Sequence, residues 1–330
     1  MHPQFLDLLC SPDTKEPLTL EATEYGVNGL VISGSLTTPS GKRYPIVRGV
    51  PRFVDESAYA SSFGYEWNRW PRVQFESENV GRPMAGHTTR MWKILTGVAD
   101  GQIAGQTVVE FGCGPGRFLD VARRFGARAV GLDITTAVDA ARRNFPDDPD
   151  VLIVQGDVFH PPFRDNVFDG GFSLGVLHHT PSPQTGVQRL TASVKPNGWV
   201  AISVYSQDSL YNYPSLARLR WGYRLIRPLL GYRPALGYAA FSAFLASPIL
   251  GWMRTRGIRG TWFFERHLLF AVVLPDWRWS LLDTFDAITP EIATVHTHDE
   301  VESWMQAAGC SQIRTTEWGP THLVGFRSAQ

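Results

Sequence analysis

Cysteine is scarce in this chain and neither sign of charge prevails. Its three cysteines, Cys10, Cys113 and Cys310, stand far apart in 330 residues with no paired spacing. That excludes a disulfide framework and fits a reducing compartment. Thirty-one basic residues against 31 acidic ones leave a formal net charge of zero, so nothing draws the whole chain to nucleic acid, which is not an expected partner. No internal repeat or low-complexity tract interrupts the sequence. The first residues, Met1 to Leu9, carry no basic stretch ahead of an apolar run; no secretory signal is expected, and the cytoplasm is the default location.

What is present concentrates between residues 107 and 116. Thr107, Val108 and Val109 form an apolar run that ends in Glu110 and breaks into a loop with glycines at 112, 114 and 116. This reads as a strand-to-loop turn for a nucleotide, because glycines let the backbone bend and let a ligand reach main-chain N–H groups. A helix over 117–125 is predicted from Phe118, Leu119, Val121, Ala122 and Phe125 on one face, with Gly126 as its stop. A dinucleotide fingerprint needs a third glycine where Arg117 stands, and Glu110 would repel a pyrophosphate. A ligand carrying an ammonium and a sulfonium fits better, and the pattern favours S-adenosylmethionine.

Here the chain resembles the class I S-adenosylmethionine-dependent methyltransferases. The resemblance runs on through Ala129–Asp133 as a second strand, Val151–Gly156 as a third, Phe168–Leu177 as a fourth, running into His178 and His179, and Trp199–Tyr205 as a fifth. It implies an α/β Rossmann-like fold with a seven-stranded, mostly parallel sheet. It also implies a cofactor site built from Glu110, Gly112, Cys113, Gly114, Gly116, Asp133, Ile134, Asp157, Val158, Leu174 and Gly175. In that family an acid in the place of Asp133 accepts both ribose hydroxyls, and the pair matching Asp157 and Val158 contacts adenine. At 330 residues the chain is longer than a minimal domain of this kind, so further modules are expected.

Residues 1–55 read as a small, separate β-rich module similar to the zinc-ribbon domain of tRNA-methyltransferase activators. The family's four cysteines fall here on Cys10, Asp13, Thr37 and Ser40. One thiolate cannot hold a structural zinc, so the module is expected to stand on packing, and no metal is expected. Residues 56–100 are a helical lead-in rich in aromatics. By resemblance Tyr65, Trp67 and Arg69 could cap the methionine end of the cofactor, with Arg69 on its carboxylate; packing of the aromatics onto the sheet is the alternative. The cofactor-binding core spans 101–205.

A helical insertion over 206–290 is far longer than an ordinary loop and is expected to carry substrate specificity. Within it, 234–253 is an uncharged run of twenty residues, long enough to span a bilayer. Pro248, its glycines and serines, and arginines on both flanks oppose a single span. It reads as a buried lid, or as a segment in peripheral contact with a membrane that admits a lipid-linked acceptor. Residues 291–330 resemble the closing helix and antiparallel hairpin of the family, with Thr297 and Glu300 as a capping box. Asp283, Asp286 and His296 are candidate acceptor contacts.

Methyl transfer from a sulfonium is an in-line displacement that chiefly requires alignment. A base helps when the acceptor is a hydroxyl or an amine, and His178 or His179 is the candidate. The expected activity is methylation of a small-molecule or lipid-linked acceptor, foremost a hydroxyl. A noncatalytic cofactor-binding or partner-binding protein, or transfer of a different group from S-adenosylmethionine or a derivative, remains open at this point.

Overall fold

The computed structural model describes residues 1–54, 60–99 and 101–329. Two sheets organise the chain. The first is antiparallel, in the order β1 (Thr19–Tyr25), β2 (Val31–Thr37), β3 (Arg43–Val47) and β4 (Val50–Pro51). The second has seven strands, β5 (Thr107–Phe111), β6 (Arg128–Asp133), β7 (Val151–Gln155), β8 (Phe168–Leu174), β9 (Val194–Ser203), β10 (Cys310–Thr316) and β11 (Gly319–Arg327). Its spatial order is β10-β11-β9-β8-β5-β6-β7, with β11 antiparallel to both neighbours and the rest parallel. This is the Rossmann-like architecture expected from the sequence. Every residue of β5 and β7 is buried, as strands covered on both faces by crossover helices require.

Helices α1 (Ser61–Arg69) and α2 (His87–Thr96) precede this sheet, and α3 (Arg117–Arg124), α4 (Ala137–Asn144) and α5 (Pro183–Ser193) connect its strands. The fourth strand stops three residues sooner than the sequence suggested, because Gly175 turns the chain at a φ of 80° and Leu177–His179 coil into a 3-10 turn. The fifth starts earlier than Trp199, at Val194, with Asn197 in the left-handed region.

The N-terminal module is not separate. Phe5, Leu36, Tyr44, Ile46 and Phe53 share one core with Val109, Phe111, Leu132 and Val154 of the large sheet. Arg52 forms a parallel bridge to Gln155 at the outer edge of β7, donates to Gln155 Oε1 at 2.6 Å and pairs with Asp139 at 2.7 Å. Where zinc ligands were considered, Asp13 instead pairs with Lys42, Ser40 donates to Glu16 at 2.7 Å, and Cys10 is buried.

The insertion is helical: α6 (Pro214–Leu230), α7 (Arg233–Phe241), a π-turn over Ser242–Ala246, α8 (Ser247–Thr255), α9 (Thr261–His267) and α10 (Trp277–Ile288). Leu216, Tyr223, Ala239, Phe270, Phe285 and Ile288 give it its own core. The apolar run is only one third buried, so it is not the buried lid considered above. In α11 (His298–Ala307), Thr297 and Glu300 form the expected capping box, and Val301 and Met305 are the buried face.

Candidate functional site

The site lies where strand order reverses. Strand β5 has β6 on one side and β8 on the other, and open α/β sheets bind ligands beyond the carboxyl ends of the strands at such a point. A cavity of about 520 Å³ opens there, within the range of small-molecule sites. Glu110, Gly112, Cys113, Gly114, Asp133, Ile134, Val158, Leu174 and Gly175 line it. Gly116 and Asp157 do not. Gly116 has a φ of 88° and a Cβ there would stand 2.6 Å from Phe145, so this glycine serves helix packing. Asp157 Oδ1 accepts the Phe159 amide at 2.9 Å.

The loop glycines divide their tasks. Gly112 has a φ of 80°, and a Cβ would lie 2.2 Å from Val176. Gly114 passes under the indole of Trp67, which a Cβ would meet at 3.1 Å. Gly175, also at a φ of 80°, has nothing within 4 Å of its Cβ position and leaves the cavity wall bare. Asp133 Oδ2 accepts the Gly114 amide at 2.9 Å, while Oδ1 accepts the Thr135 amide and hydroxyl at 2.9 and 2.7 Å. This acid therefore ties the end of β6 to the loop after β5.

Glu110 is 2% exposed and its Oε2 is buried with no hydrogen-bond partner. Burial pushes its carboxyl well up, opposed by Arg117. A buried acceptor left unsatisfied costs free energy unless a ligand donates to it. An ammonium group beside Glu110 would supply that donor, so the residues present fit S-adenosylmethionine.

The lead-in helix contributes one of the three residues suggested from sequence. Trp67 lines the cavity. Tyr65 stacks on Tyr232 at 4.4 Å, inside the core of the insertion. Arg69 is exposed, its guanidinium over Trp70 at 5.6 Å. A cation does reach the cavity, but it is Arg117, the first residue of α3. Helix N-termini repel cations, and that oddity was the sequence signal for it. Arg117 faces three carboxyls, the half-buried Asp283 and Asp286 and the buried Glu110, whose charges favour its own.

Asp283 and Asp286 line the cavity from α10. Burial pushes Asp283 up to about 7 and Asp286 up to about 6, both opposed by Arg117. Asp283 accepts from Gln74 at 3.1 Å, and Asp286 Oδ1 has no partner. Glu66 on α1, missed from sequence because it sits among aromatics, is fully buried with both carboxylate oxygens unpartnered. Burial raises it well above the usual range, with Asp286 and Asp283 adding to the effect.

Both histidines of the 3-10 turn line the cavity, in opposite tautomers. The Tyr205 amide donates to His178 Nδ1 at 3.3 Å, leaving its proton on Nε2. His179 Nδ1 donates to the Ile292 carbonyl at 2.8 Å, leaving Nε2 as the basic nitrogen, buried and unpartnered. Burial pushes His179 down to about 3 and His178 well down. His296 does not line the cavity: its Nε2 bonds Thr294 Oγ1 at 2.8 Å, and Thr294 donates to the His178 carbonyl from both amide and hydroxyl. Its place is behind the turn, not against a ligand.

The chain resembles known proteins over this region. A family described as methyltransferase domain matches residues 109–202. A demethylmenaquinone methyltransferase of Thermobifida fusca is 28% identical over 175 residues, 51% of this chain and 72% of that protein. The 24-methylenesterol C-methyltransferase 2 of Oryza sativa subsp. japonica is 30% identical over 175 residues, 48% of this chain and 47% of that protein. A ubiquinone biosynthesis O-methyltransferase of Albidiferax ferrireducens is 29% identical over 115 residues, 32% of this chain and 44% of that protein. The chain thus spans less than half the length of the last two. Among solved structures, the complex of the Haloferax volcanii Trm112 methyltransferase activator with a candidate methyltransferase aligns at a TM-score of 0.47 and 15% identity, covering 81% of this chain and 98% of that one. The CurJ carbon methyltransferase aligns at 0.40 and 12%, covering 73% of this chain and 54% of that one. The matched domain and the curated relatives support a class I S-adenosylmethionine-dependent methyltransferase.

Proposed function

We infer that the chain moves the methyl group of S-adenosylmethionine to a hydroxyl of a small or lipid-linked acceptor. The observation that carries this reading is the pairing of two unsatisfied groups across one cavity: Glu110 Oε2 at the end of β5, and His179 Nε2 beyond the end of β8. One needs a donor and the other can take a proton. When bound, the cofactor supplies a methyl carbon on a positively charged sulfur.

Each cavity residue then has a task. Asp133 and Glu110 hold the ribose and ammonium ends, and Arg117 takes the carboxylate in place of Arg69. Val158 and Ile134 flank the adenine. The acceptor enters from the side of Asp283, Asp286 and Tyr211. Bound there, S-adenosylmethionine would supply the methyl group, its sulfur keeping the electron pair of the broken carbon–sulfur bond, and His179 Nε2 would take the proton of the hydroxyl that accepts the methyl. Alignment of the reacting atoms supplies most of the rate; with His179 held down at about 3 by burial, its imidazole adds less than a base matched to neutral pH would. The relatives act on quinone precursors and sterols by their names, which supports an isoprenoid-bearing acceptor.

Calorimetric titration with S-adenosylmethionine, with NADH as control and Asp133→Ala as variant, tests the first half. Binding in the micromolar range that is lost in the variant is expected. Absence of binding, or preference for NADH, sinks the reading. Release of S-adenosylhomocysteine in the presence of a hydroxylated isoprenoid quinone precursor tests the second.

A further inference from the structure

The helical insertion packs inside out. Along α7, the π-turn and α8, the buried positions are mostly small: Ala235, Ala239, Ser242, Ala243, Ala246 and Ser247. They seat the helix on the protein through Ser242 Oγ to Thr284 Oγ1 at 3.1 Å, Ser247 Oγ to the Val272 carbonyl at 2.8 Å and Tyr238 to the Phe270 carbonyl at 2.7 Å. The large apolar residues of the same stretch, Phe241, Phe244, Leu245, Ile249 and Trp252, are exposed. Burial in water selects the reverse arrangement. The pattern extends to the neighbouring helices, with Trp221, Leu225 and Leu229 exposed on α6 and Trp262 and Phe263 on α9. Sixteen of the twenty large hydrophobic side chains exposed among the described residues fall between 221 and 277. So much exposed apolar surface in one module marks an interaction face rather than scatter.

Charge identifies the occupant. The whole chain is neutral, yet residues 206–272 hold nine arginines against two acids, Asp208 and Glu265. Glu265 is already taken by Arg254 at 2.7 Å. Arginines stand at both ends of the apolar stretch, at Arg233 and at Arg254 and Arg256. Aromatic and aliphatic side chains interleaved with arginines suit the boundary between acyl chains and anionic headgroups. Basic residues at both ends, and one side fixed to α10 through Thr284, suit a helix lying in the plane of the membrane rather than crossing it.

We propose that helices α6 to α9 form a docking face for an anionic bilayer, with α7 and α8 lying along its surface. This goes beyond the methyl-transfer reading and does not depend on it. The face adjoins the cavity through Leu210, Tyr211, Val272 and Leu274, which belong to the same insertion and line the cavity.

Flotation of the full chain with vesicles tests this, using phosphatidylcholine alone and phosphatidylcholine containing about 30% phosphatidylglycerol. The chain should float with the anionic vesicles and be released by salt. Phe244→Ser with Trp252→Ser, and separately Arg256→Glu with Arg259→Glu, should each cut the bound fraction roughly tenfold. All four side chains are exposed, so the variants should keep wild-type circular dichroism and cofactor titration. Failure of the wild type to float, or binding by both variants equal to that of the wild type, overturns the proposal. So does resistance to alkaline extraction, which indicates a span, and so does a dimer in solution that the Phe244 and Trp252 changes dissolve without any vesicle binding. A failed cofactor titration on the same sample would sink methyl transfer and leave the vesicle result standing.

Discussion

His179 gives its Nδ1 proton to the Ile292 carbonyl, and that single bond decides which of two adjacent histidines can act as a base. In His178 the Tyr205 amide occupies Nδ1, so the nitrogen left over carries a proton. His179→Gln should lower kcat by roughly tenfold, short of the roughly 10²-fold or more that a base matched to neutral pH would lose, with little change in KM for S-adenosylmethionine. His178→Gln should act mainly on stability. Steady-state kinetics on both variants separates them; equal losses of kcat would remove the assignment to His179.

The same histidines give the fold an acid limit. Both are held neutral by burial, His179 down to about 3, and His322 on β11 down to about 4. Their unfolded counterparts bind protons below about 6.5. Stability from this source is present above that value and is lost as pH falls from 6.5 toward 3. At pH 5 His179 and His322 each cost about 2 kcal/mol. Phenylalanine in place of His322, tested by thermal melts at pH 7.5 and pH 5, should flatten the acid loss.

The carboxyls of α10 run the other way. Asp286, pushed up to about 6, favours the fold below its unfolded value near 3.8 and loses that contribution as pH rises through 6. Asp286→Asn should therefore raise the melting temperature at pH 8, worth on the order of 2–3 kcal/mol, and change little at pH 4. A gain of the same size at both pH values would mean that the carboxyl is not responsible.

Two glycines at the same φ should respond differently to alanine. At Gly112 the new methyl meets Val176 at 2.2 Å as well as the left-handed backbone, so Gly112→Ala should cost several kcal/mol or prevent folding. Gly175→Ala meets open space and should cost about 1–2 kcal/mol in stability while weakening cofactor binding by filling the cavity wall. Chemical denaturation together with cofactor titration distinguishes the two.

Arg117 is the counter-charge for the acidic side of the cavity. Arg117→Met should leave Glu110, Asp283 and Asp286 buried without it, destabilise the protein by about 3 kcal/mol or more, and weaken S-adenosylmethionine by roughly a hundredfold. Lysine should restore part of the stability and less of the affinity, since it lacks the planar fork that a carboxylate accepts. An unchanged titration for the methionine variant would release Arg117 from the cofactor.

Much of this was legible along the chain. The succession of strands along the chain, the Gly112 to Gly116 loop, Glu110, Asp133 and the His178–His179 pair all rest on residues that are close in sequence, where spacing carries the signal. The Thr297–Glu300 box is local in the same way. The residues that were misjudged depend on distant partners. Gly116 resembles a ligand glycine until Phe145 arrives from the end of α4. Arg69 and Arg117 are equally basic in sequence, and only the packing of α1 and α3 turns one outward and leaves the other inside. Glu66 has no local pattern at all, because its meaning comes from Asp283 and Asp286 more than two hundred residues away.

The contact of Arg52 with Gln155 reaches past the joining of two modules. Strand β7 ends the large sheet, and an outer strand with free amides and carbonyls invites pairing with other chains. Here the segment after β4 lies beside it: Arg52 bridges Gln155, and the Phe53 amide donates to the Gln155 carbonyl at 2.9 Å. The segment after β4 thus occupies the Gln155 end of that edge, where another chain could otherwise pair.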